Sequence, residues 1–258
     1  TTITVRSPTN LTIDPILANP TAGDTFTISG SLTSSNGSGI IDRNGNTLPA
    51  SLTFEIDGQS STFTVTGGSV SPNGTWSADI RLDLTFPRGT HTLLATYTPT
   101  VNYYGSGSGE AAFDSRGYSL LSIIDPLDLD PDRRTVRGDS INVSISLIDN
   151  AGQPVVAESV KIYVEGNLES TGLTDPNGTM TTTITVDSFR TPGPLVISAD
   201  FEGVNGTTGL VGDQTSTRVI ILAPTVLQID SITGSAIAGE SVTFSGTLLD
   251  EHGQNLIH

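Results

Sequence analysis

Cysteine is absent from this chain of 258 residues, which excludes a disulfide framework and thiol chemistry. Basic residues are few, with 11 lysines and arginines against 27 acidic residues and a net charge of −16. Nucleic-acid binding needs a cationic face, so we expect no nucleic-acid partner. No apolar run approaches the length that crosses a bilayer, so we expect no membrane span in this segment. The sequence contains no nucleophile motif and no metal-binding histidine motif, so we do not expect an enzyme.

A stretch that occurs three times organises the sequence. In each copy a glycine and an acidic residue are followed by alternating apolar and polar residues, the pattern of a half-buried β-strand. The copies lie roughly 100–115 residues apart, a spacing that suits one sandwich domain per copy. They occupy residues 22–32, 137–147 and 238–248.

Other blocks recur around this organising strand. A first strand is predicted before it at 11–14, 127–130 and 227–230, and an Asp-x-x-Gly turn follows it at 42–45, 149–152 and 250–253. Pro-Asn-Gly turns stand at 72–74 and 176–178, and last strands are predicted at 118–124 and 217–222. About seven short strands per copy predict an all-β fold of tandem immunoglobulin-like (Ig-like) β-sandwiches.

The predicted domain order follows from these blocks. Residues 9–124 and 125–223 are each predicted to form a complete Ig-like domain. Residues 2–9 align with 217–225, so residues 1–8 are predicted to be the last strand of a preceding domain. Residues 224–258 are predicted to hold the first strands of a truncated or strand-complemented domain, because two or three strands cannot bury a core alone. We therefore expect either a window from a longer array or a subunit that complements a neighbouring copy.

The Gly-acid strand, the Asn-Gly-Thr turns and the Ala-Thr-Tyr or Ala-Asp-Phe strand before a Gly-rich hairpin resemble prokaryotic tandem Ig-like repeats. Such repeats build surface-layer proteins, adhesin stalks and extracellular filaments in bacteria and archaea. The resemblance implies a structural segment at the cell surface, whose partners are other copies or neighbouring domains of the same protein. Two alternatives stay open. One is an adhesin with a ligand or carbohydrate site on its hairpin loops, and the other is a set of accessory domains of a secreted hydrolase.

Acidic residues cluster at the predicted junction between the two complete domains, at Asp125, Asp128, Asp130 and Asp132, with Asp139 close behind. Ca²⁺ takes about six to eight oxygen ligands, which carboxylates from a linker and an adjacent loop can supply. Calcium at this junction is therefore a candidate cofactor, and it would clamp neighbouring domains together. The competing interpretation is a solvated acidic linker, since the spacing is not that of an EF-hand and Asp-Pro pairs are ordinary turn formers.

Asn-x-Ser/Thr sequons provide candidate sites for N-linked glycans. Occupied sequons would favour an archaeal surface protein, in line with the resemblance above. In two of them the asparagine is also the residue that a Pro-Asn-Gly turn requires. The six sequon asparagines are Asn10, Asn36, Asn73, Asn142, Asn177 and Asn205.

Two further features have competing interpretations. The tripeptide 137–139 spells Arg-Gly-Asp, but its counterparts in the other copies explain the Gly-acid pair as the shared turn. Trp76 stands at an inward position of a predicted strand and is expected in the core. Tyr97, Tyr103 and Tyr104 lie near the first hairpin, where exposed rings could stack on a sugar.

Overall fold

A computed structural model describes residues 6–40, 52–100, 104–128, 134–230, 237–250 and 252–253. Regular structure in these residues consists of β-strands alone, which confirms the all-β class. In chain order the strands are β1 (Thr9–Ile13), β2 (Thr25–Ser34), β3 (Leu52–Ile56), β4 (Phe63–Val70), β5 (Thr75–Leu82), β6 (Gly89–Tyr97), β7 (Gly107–Ser115), β8 (Gly117–Asp125), β9 (Arg134–Val136), β10 (Ser140–Asp149), β11 (Ser159–Val164), β12 (Asn167–Leu173), β13 (Thr179–Thr185), β14 (Gly193–Val204), β15 (Leu210–Leu222), β16 (Thr225–Ile229) and β17 (Gly246–Asp250).

The chain divides into two compact units. Unit 1 contains Thr1–Leu120, Leu147–Val155 and Glu202–Asp213, and unit 2 contains Leu121–Ser146, Val156–Phe201 and Gln214–His258. Two loops from the second copy of the repeat therefore belong to unit 1. The domain bounds 9–124 and 125–223 stay a prediction made on sequence repeats.

The first sandwich consists of β1 to β7 and lies in unit 1. One of its sheets has the strand order β1-β2-β5-β4 and the other has the order β3-β6-β7. All of these neighbours pair antiparallel. In a seven-stranded immunoglobulin sandwich of the constant type, the first, second, fifth and fourth strands share one sheet, as they do here. The strand order itself therefore confirms the Ig-like fold.

Strict alternation decides which side chains fill the first core. β2 buries every second residue, including Phe26 and Ile28, and β5 pairs with it along its length and does the same. Trp76 on β5 is 3 % exposed and its ring lies 5.7 Å from that of Phe54, which confirms its predicted place in the core. Each large apolar side chain buried in this way stabilises the fold by about 1.5–3 kcal/mol.

The second copy contains β8 to β15, and these eight strands form one sheet. Its strands follow the order β12-β11-β14-β15-β8-β10-β13, and β9 pairs with β15. β10, the counterpart of β2, buries Ile141, Val143 and Ile145 at alternate positions. The organising stretch thus has the same strand and the same inward face in both complete copies.

The fourth strand changes its pairing partner between the copies, and the connecting turns explain why. β4 pairs with β5, whereas β12 pairs with β11. Only Glu165 and Gly166, both with positive φ, separate β11 from β12, and a two-residue turn of this kind keeps its strands side by side. Asp57 and Gly58 make the same kind of turn after β3, but residues 59–62 follow it before β4 begins. The longer connection gives the chain room to cross to the other sheet.

At the boundary between the first two copies the structure differs from the strand prediction. Residues 118–124, predicted as the last strand of the first copy, lie in β8, which pairs with β10 and β15 of the second copy. β8 ends at Asp125 because Pro126 has no N–H to donate to a sheet. A first strand was predicted at 127–130, but residues 127 and 128 are not in a strand. Residues 129 and 130 lie outside the described part. The first strands predicted in the other two copies, at 11–14 and 227–230, are confirmed as β1 and β16.

In the third copy the organising strand begins later than predicted. β17 starts at Gly246 and pairs with β16. Val242 and Phe244, predicted to face inward, are 40 % and 65 % exposed. The described residues of this copy form a two-stranded sheet, which has no second sheet to cover its apolar face.

Candidate functional site

Three of the five predicted calcium ligands, Asp125, Asp128 and Asp139, belong to the described residues of unit 2. Asp125 is half-buried and lines a pocket of about 250 Å³ together with Arg134. Asp139 is exposed in the turn before β10. Asp130 and Asp132 lie outside the described residues. A guanidinium in the same pocket as Asp125 opposes the entry of a cation, because like charges repel.

Asp128 is held by an arginine of β15. Arg218 Nη2 lies 2.8 Å from Asp128 Oδ2, and Arg218 Nε and the backbone N–H of Arg218 each donate to Asp128 Oδ1 at 2.9 Å. These hydrogen bonds from Arg218 hold the pKa of the Asp128 carboxyl below its usual range. The carboxylate charge is thus already compensated by a cation of the chain itself.

In the part of the chain that the structure describes, no three acidic or histidine side chains come together as a metal site. Two of the five predicted ligands fall outside that part, so calcium at the junction stays a prediction. Of the others, one is paired with Arg218 and one shares its pocket with Arg134. These contacts favour the competing interpretation of a solvated acidic linker.

All six sequon asparagines are exposed. Asn10 and Asn142 stand on strands, and the other four lie in turns or loops between strands. Some of these side chains also serve the turn they stand in. Asn73 Oδ1 accepts hydrogen bonds from the backbone N–H and the hydroxyl of Thr75, at 3.1 and 2.8 Å. Exposure meets the steric requirement for a glycan, and glycosylation itself stays a prediction.

Two of the three tyrosines predicted to stack on a sugar are buried. Tyr97 is 1 % exposed and Tyr104 is 8 % exposed, so the prediction is wrong for both. Tyr97 follows Leu93 and Ala95 on the inward face of β6, where alternation places it in the core. Tyr103 lies outside the described residues. The carbohydrate alternative therefore loses two of the three rings that suggested it.

The Arg-Gly-Asp tripeptide is part of the fold of unit 2. The Arg137 side chain is 7 % exposed, and its Nη2 lies 2.8 Å from Asp250 Oδ2. Arg137 Nη1 also donates to the carbonyl oxygen of Arg190 at 3.3 Å. Gly138 has a φ of +90°, which a turn glycine adopts without strain. An arginine engaged in this way cannot present itself to a partner protein.

A serine–histidine–aspartate network in the first sandwich was missed by the sequence reasoning. His91 Nδ1 lies 2.6 Å from Asp57 Oδ2, and His91 Nε2 lies 3.0 Å from both Ser115 Oγ and the carbonyl oxygen of Pro87. The order of contacts is that of a catalytic triad. However, Ser115 is 0 % exposed and its hydroxyl donates to Pro87 O at 2.9 Å, so it cannot reach a substrate. The one available signal was that His91 stands at an inward position of β6.

No protein-family model matches the chain, and no characterised protein matches it in sequence. Among solved structures, the titin I-band fragment I67–I69 is similar with a TM-score of 0.43 and 12 % identity, over 93 % of this chain and 84 % of that one. The Yersinia pseudotuberculosis adhesin InvE is similar with a TM-score of 0.32 and 16 % identity, over 82 % of this chain and 58 % of that one. A tetra-tandem repeat from the extending region of a large adhesion protein has a TM-score of 0.32 and 16 % identity, over 94 % and 56 %.

This chain thus spans a little over half the length of two of these three structures. Likenesses at such TM-scores carry no argument about function, and the assignment of the fold rests on the strand order given above. Within the described residues, no helix has the length and apolarity that a bilayer crossing requires.

Proposed function

We propose that this chain is a structural segment of a multidomain extracellular protein at the cell surface, where it forms part of a surface layer, a filament or a stalk. The observation that carries the proposal is the serial recurrence of one strand pattern. β2 and β10 are both ten residues long and share the same alternating burial. β17 (Gly246–Asp250) begins within the third copy of the same stretch, near its end.

The mechanism of such a segment is mechanical. The first sandwich buries an apolar core of its own, and antiparallel pairings tie its strands together. β1 pairs with β2 over five residues, from Thr9↔Ser34 to Ile13↔Gly30. A pull along the chain loads many such hydrogen bonds together, so that the strands separate only when the whole pairing fails.

The surface chemistry supports an extracellular position. The net charge of −16 keeps the chain solvated, and salt screens the repulsion between neighbouring copies over about 8–10 Å, so that they can lie side by side. We propose that its partners are other copies or neighbouring domains of the same protein. No nucleic acid, enzymatic reaction or membrane span belongs to this proposal.

Two measurements test the proposed function. An antibody against the segment should label intact source cells, and labelling that needs permeabilised cells would contradict a surface position. Stretching single molecules of the segment should give separate unfolding steps, each releasing the contour length of about one copy of the repeat. Unfolding of the whole chain in one step would contradict independent cores in series.

A further inference from the structure

The Asp-x-x-Gly turn after β10 contacts a loop of the first sandwich, and all the residues concerned belong to unit 1. Asn150 Nδ2 donates to the carbonyl oxygens of Leu84 and Phe86, at 2.9 and 2.8 Å. Asn150 Oδ1 accepts from the backbone N–H of Tyr118 at 3.1 Å. A single side chain of the turn therefore satisfies three backbone groups that lie outside the turn.

Separate hydrogen bonds give the turn its shape. Asp149 Oδ1 accepts from the backbone N–H groups of Ala151 and Gln153, at 3.0 and 2.8 Å. Gly152, with a φ of +78°, donates to the Asp149 carbonyl oxygen at 2.9 Å. The side chain of Asn150 takes no part in these bonds. Its three contacts thus serve docking and leave the geometry of the turn to Asp149 and Gly152.

The corresponding turn after β17 makes the corresponding contact inside unit 2. Asp250 Oδ1 accepts from the backbone N–H of His252 at 3.0 Å, as Asp149 does in its own turn. His252 Nε2 lies 3.0 Å from the carbonyl oxygen of Ser188, and its ring stacks on Phe189 with the centroids 4.7 Å apart. Asp250 Oδ2 also pairs with Arg137 at 2.8 Å. The turn is therefore fixed to the loop before β14.

The two acceptor carbonyls occupy the same place in their copies. Gly89 and Gly193 open β6 and β14 with φ values of +137° and +138°, and so mark equivalent points of the two copies. Leu84 lies five residues before Gly89, and Ser188 lies five residues before Gly193. Because the acceptor is a backbone oxygen, the contact survives the exchange of leucine for serine in the loop. The side chain that contacts it comes from the second position of the first turn, Asn150, and from the third position of the second turn, His252.

We propose that the Asp-x-x-Gly turn is the docking element of this repeat, and that it binds the backbone of the loop before the sixth strand in the preceding copy. The surface it fits is therefore another copy of the same repeat, recognised through carbonyl oxygens. This inference adds detail to the proposed structural function, and the biological purpose of the docking rests on that function. The contacts themselves are tested independently of where the protein resides.

Amide hydrogen exchange on the full 258-residue chain measures the docking directly. Asn150→Ala should accelerate exchange of the Tyr118 amide by about tenfold or more, because that N–H loses its acceptor. The amides of Ala151 and Gln153 should change by less than about threefold, because Asp149 still accepts from them. Asn177→Ala is the matched control, since the Asn177 side chain bonds to Asp175 within its own turn. This control should leave Tyr118 unchanged.

An unchanged Tyr118 rate in Asn150→Ala would overturn the proposal. Acceleration at Ala151 and Gln153 alone would also overturn it, since Asn150 would then only shape its own turn. For the second turn, His252→Ala should remove the ring-current shift of the Phe189 protons, and an unaltered Phe189 spectrum would overturn docking there. Failure of these tests would leave surface labelling of cells unaffected, so it is distinguishable from failure of the proposed function.

Discussion

His91 Nδ1 lies 2.6 Å from Asp57 Oδ2, and this contact fastens β6 to the turn after β3. The other ring nitrogen lies 3.0 Å from a backbone carbonyl oxygen, so the ring is placed to donate at both nitrogens. In the second copy Glu165 stands in the corresponding turn, where Glu165 Oε1 accepts from the Val196 N–H and from Arg190 Nη2, both at 2.9 Å. Each copy therefore ties its third strand to its sixth through an acidic residue, whose side-chain partner is a histidine in the first copy and an arginine in the second.

Replacing His91 by leucine should lower the free energy of unfolding by about 1–3 kcal/mol, because Ser115 and the Pro87 carbonyl would then be buried without this partner. Urea unfolding monitored by Trp76 fluorescence measures the loss. Thr92→Val is the matched control on the exposed face of β6, since it keeps the backbone N–H that donates to Asp57. A loss below about 0.5 kcal/mol in His91→Leu would contradict the structural role of the network.

Acid should weaken the first sandwich through Asp57. Burial opposes ionisation of this carboxyl, but hydrogen bonds from the Thr92 N–H and His91, together with the histidine charge, hold the pKa of Asp57 below its ordinary 3.8. A carboxyl with a lowered folded-state pKa stabilises the fold above its unfolded pKa, and that contribution is lost as the pH falls through the folded pKa. Asn also tolerates the positive φ of this position, so Asp57→Asn is a suitable reference.

The melting temperatures of the unmodified chain and Asp57→Asn should therefore differ most near pH 5 and converge as the pH falls to about 2. Thermal melts monitored by circular dichroism at several pH values measure the gap. A gap that stays constant through this range would show that Asp57 ionisation does not contribute to stability.

The sequence predicted most accurately those elements whose signals are local. The strands predicted in the organising stretches 22–32 and 137–147 are confirmed as β2 and β10, and the Pro-Asn-Gly turns precede β5 and β13 as expected. β4 and β12 escaped prediction for two physical reasons. Gly67 and Gly68 interrupt the alternation of β4 with positive φ and a register shift. β12 is mostly exposed, so its sequence shows no regular alternation of apolar and polar residues.

Contacts between distant segments could not be predicted from the sequence. His91 and Asp57 are separated by 34 positions and meet only because β3 pairs with β6. Arg218 and Asp128 are separated by 90 positions, and their pairing compensates the charge that made Asp128 a candidate calcium ligand. A local sequence pattern predicts where a strand lies and which of its faces is buried. The partner of a charged side chain depends instead on which strands pair.

Arg218→Gln should raise the affinity of the acidic junction for calcium, if calcium binds there at all, because it frees the Asp128 carboxylate. Isothermal titration of the unmodified chain and the variant with calcium measures this, and the variant should show the larger heat. Arg81→Gln, an exposed arginine of β5, serves as the charge-matched control. Absence of heat in both the unmodified chain and Arg218→Gln would reject a calcium site.

Protein from the source cells should be heavier than the bare polypeptide if the exposed sequons carry glycans. Asn10→Gln should then remove the mass of one glycan, because Asn10 is exposed on the edge strand β1. Asn167→Gln is the control, since Asn167 is exposed but lies outside a sequon. An intact mass equal to that of the polypeptide would reject glycosylation of this chain.

Gly30 and Trp76 face each other across β2 and β5 and must fit together. A methyl group on Gly30 would lie 2.0 Å from the Thr12 carbonyl oxygen and 2.6 Å from the Trp76 ring. Gly30→Ala should therefore destabilise the first sandwich by about 1–3 kcal/mol, the usual cost of overpacking a core. Gly105→Ala is the control, since its methyl would meet only Ser7 O at 3.7 Å, and it should change stability by less than about 0.5 kcal/mol.

In the second copy the side-chain sizes at the equivalent cross-strand pair compensate for each other. At the equivalent pair Ile145 faces Met180, a larger residue opposite a smaller one. Trp76→Met alone should open a cavity and Gly30→Ala alone should clash, whereas the double variant should recover part of both losses. A double-mutant cycle in urea should then give a favourable coupling energy of about 1 kcal/mol or more. If the two losses of stability simply add, Trp76→Met does not relieve the clash of Gly30→Ala. The clash would then lie with the Thr12 carbonyl oxygen, which Trp76→Met leaves in place.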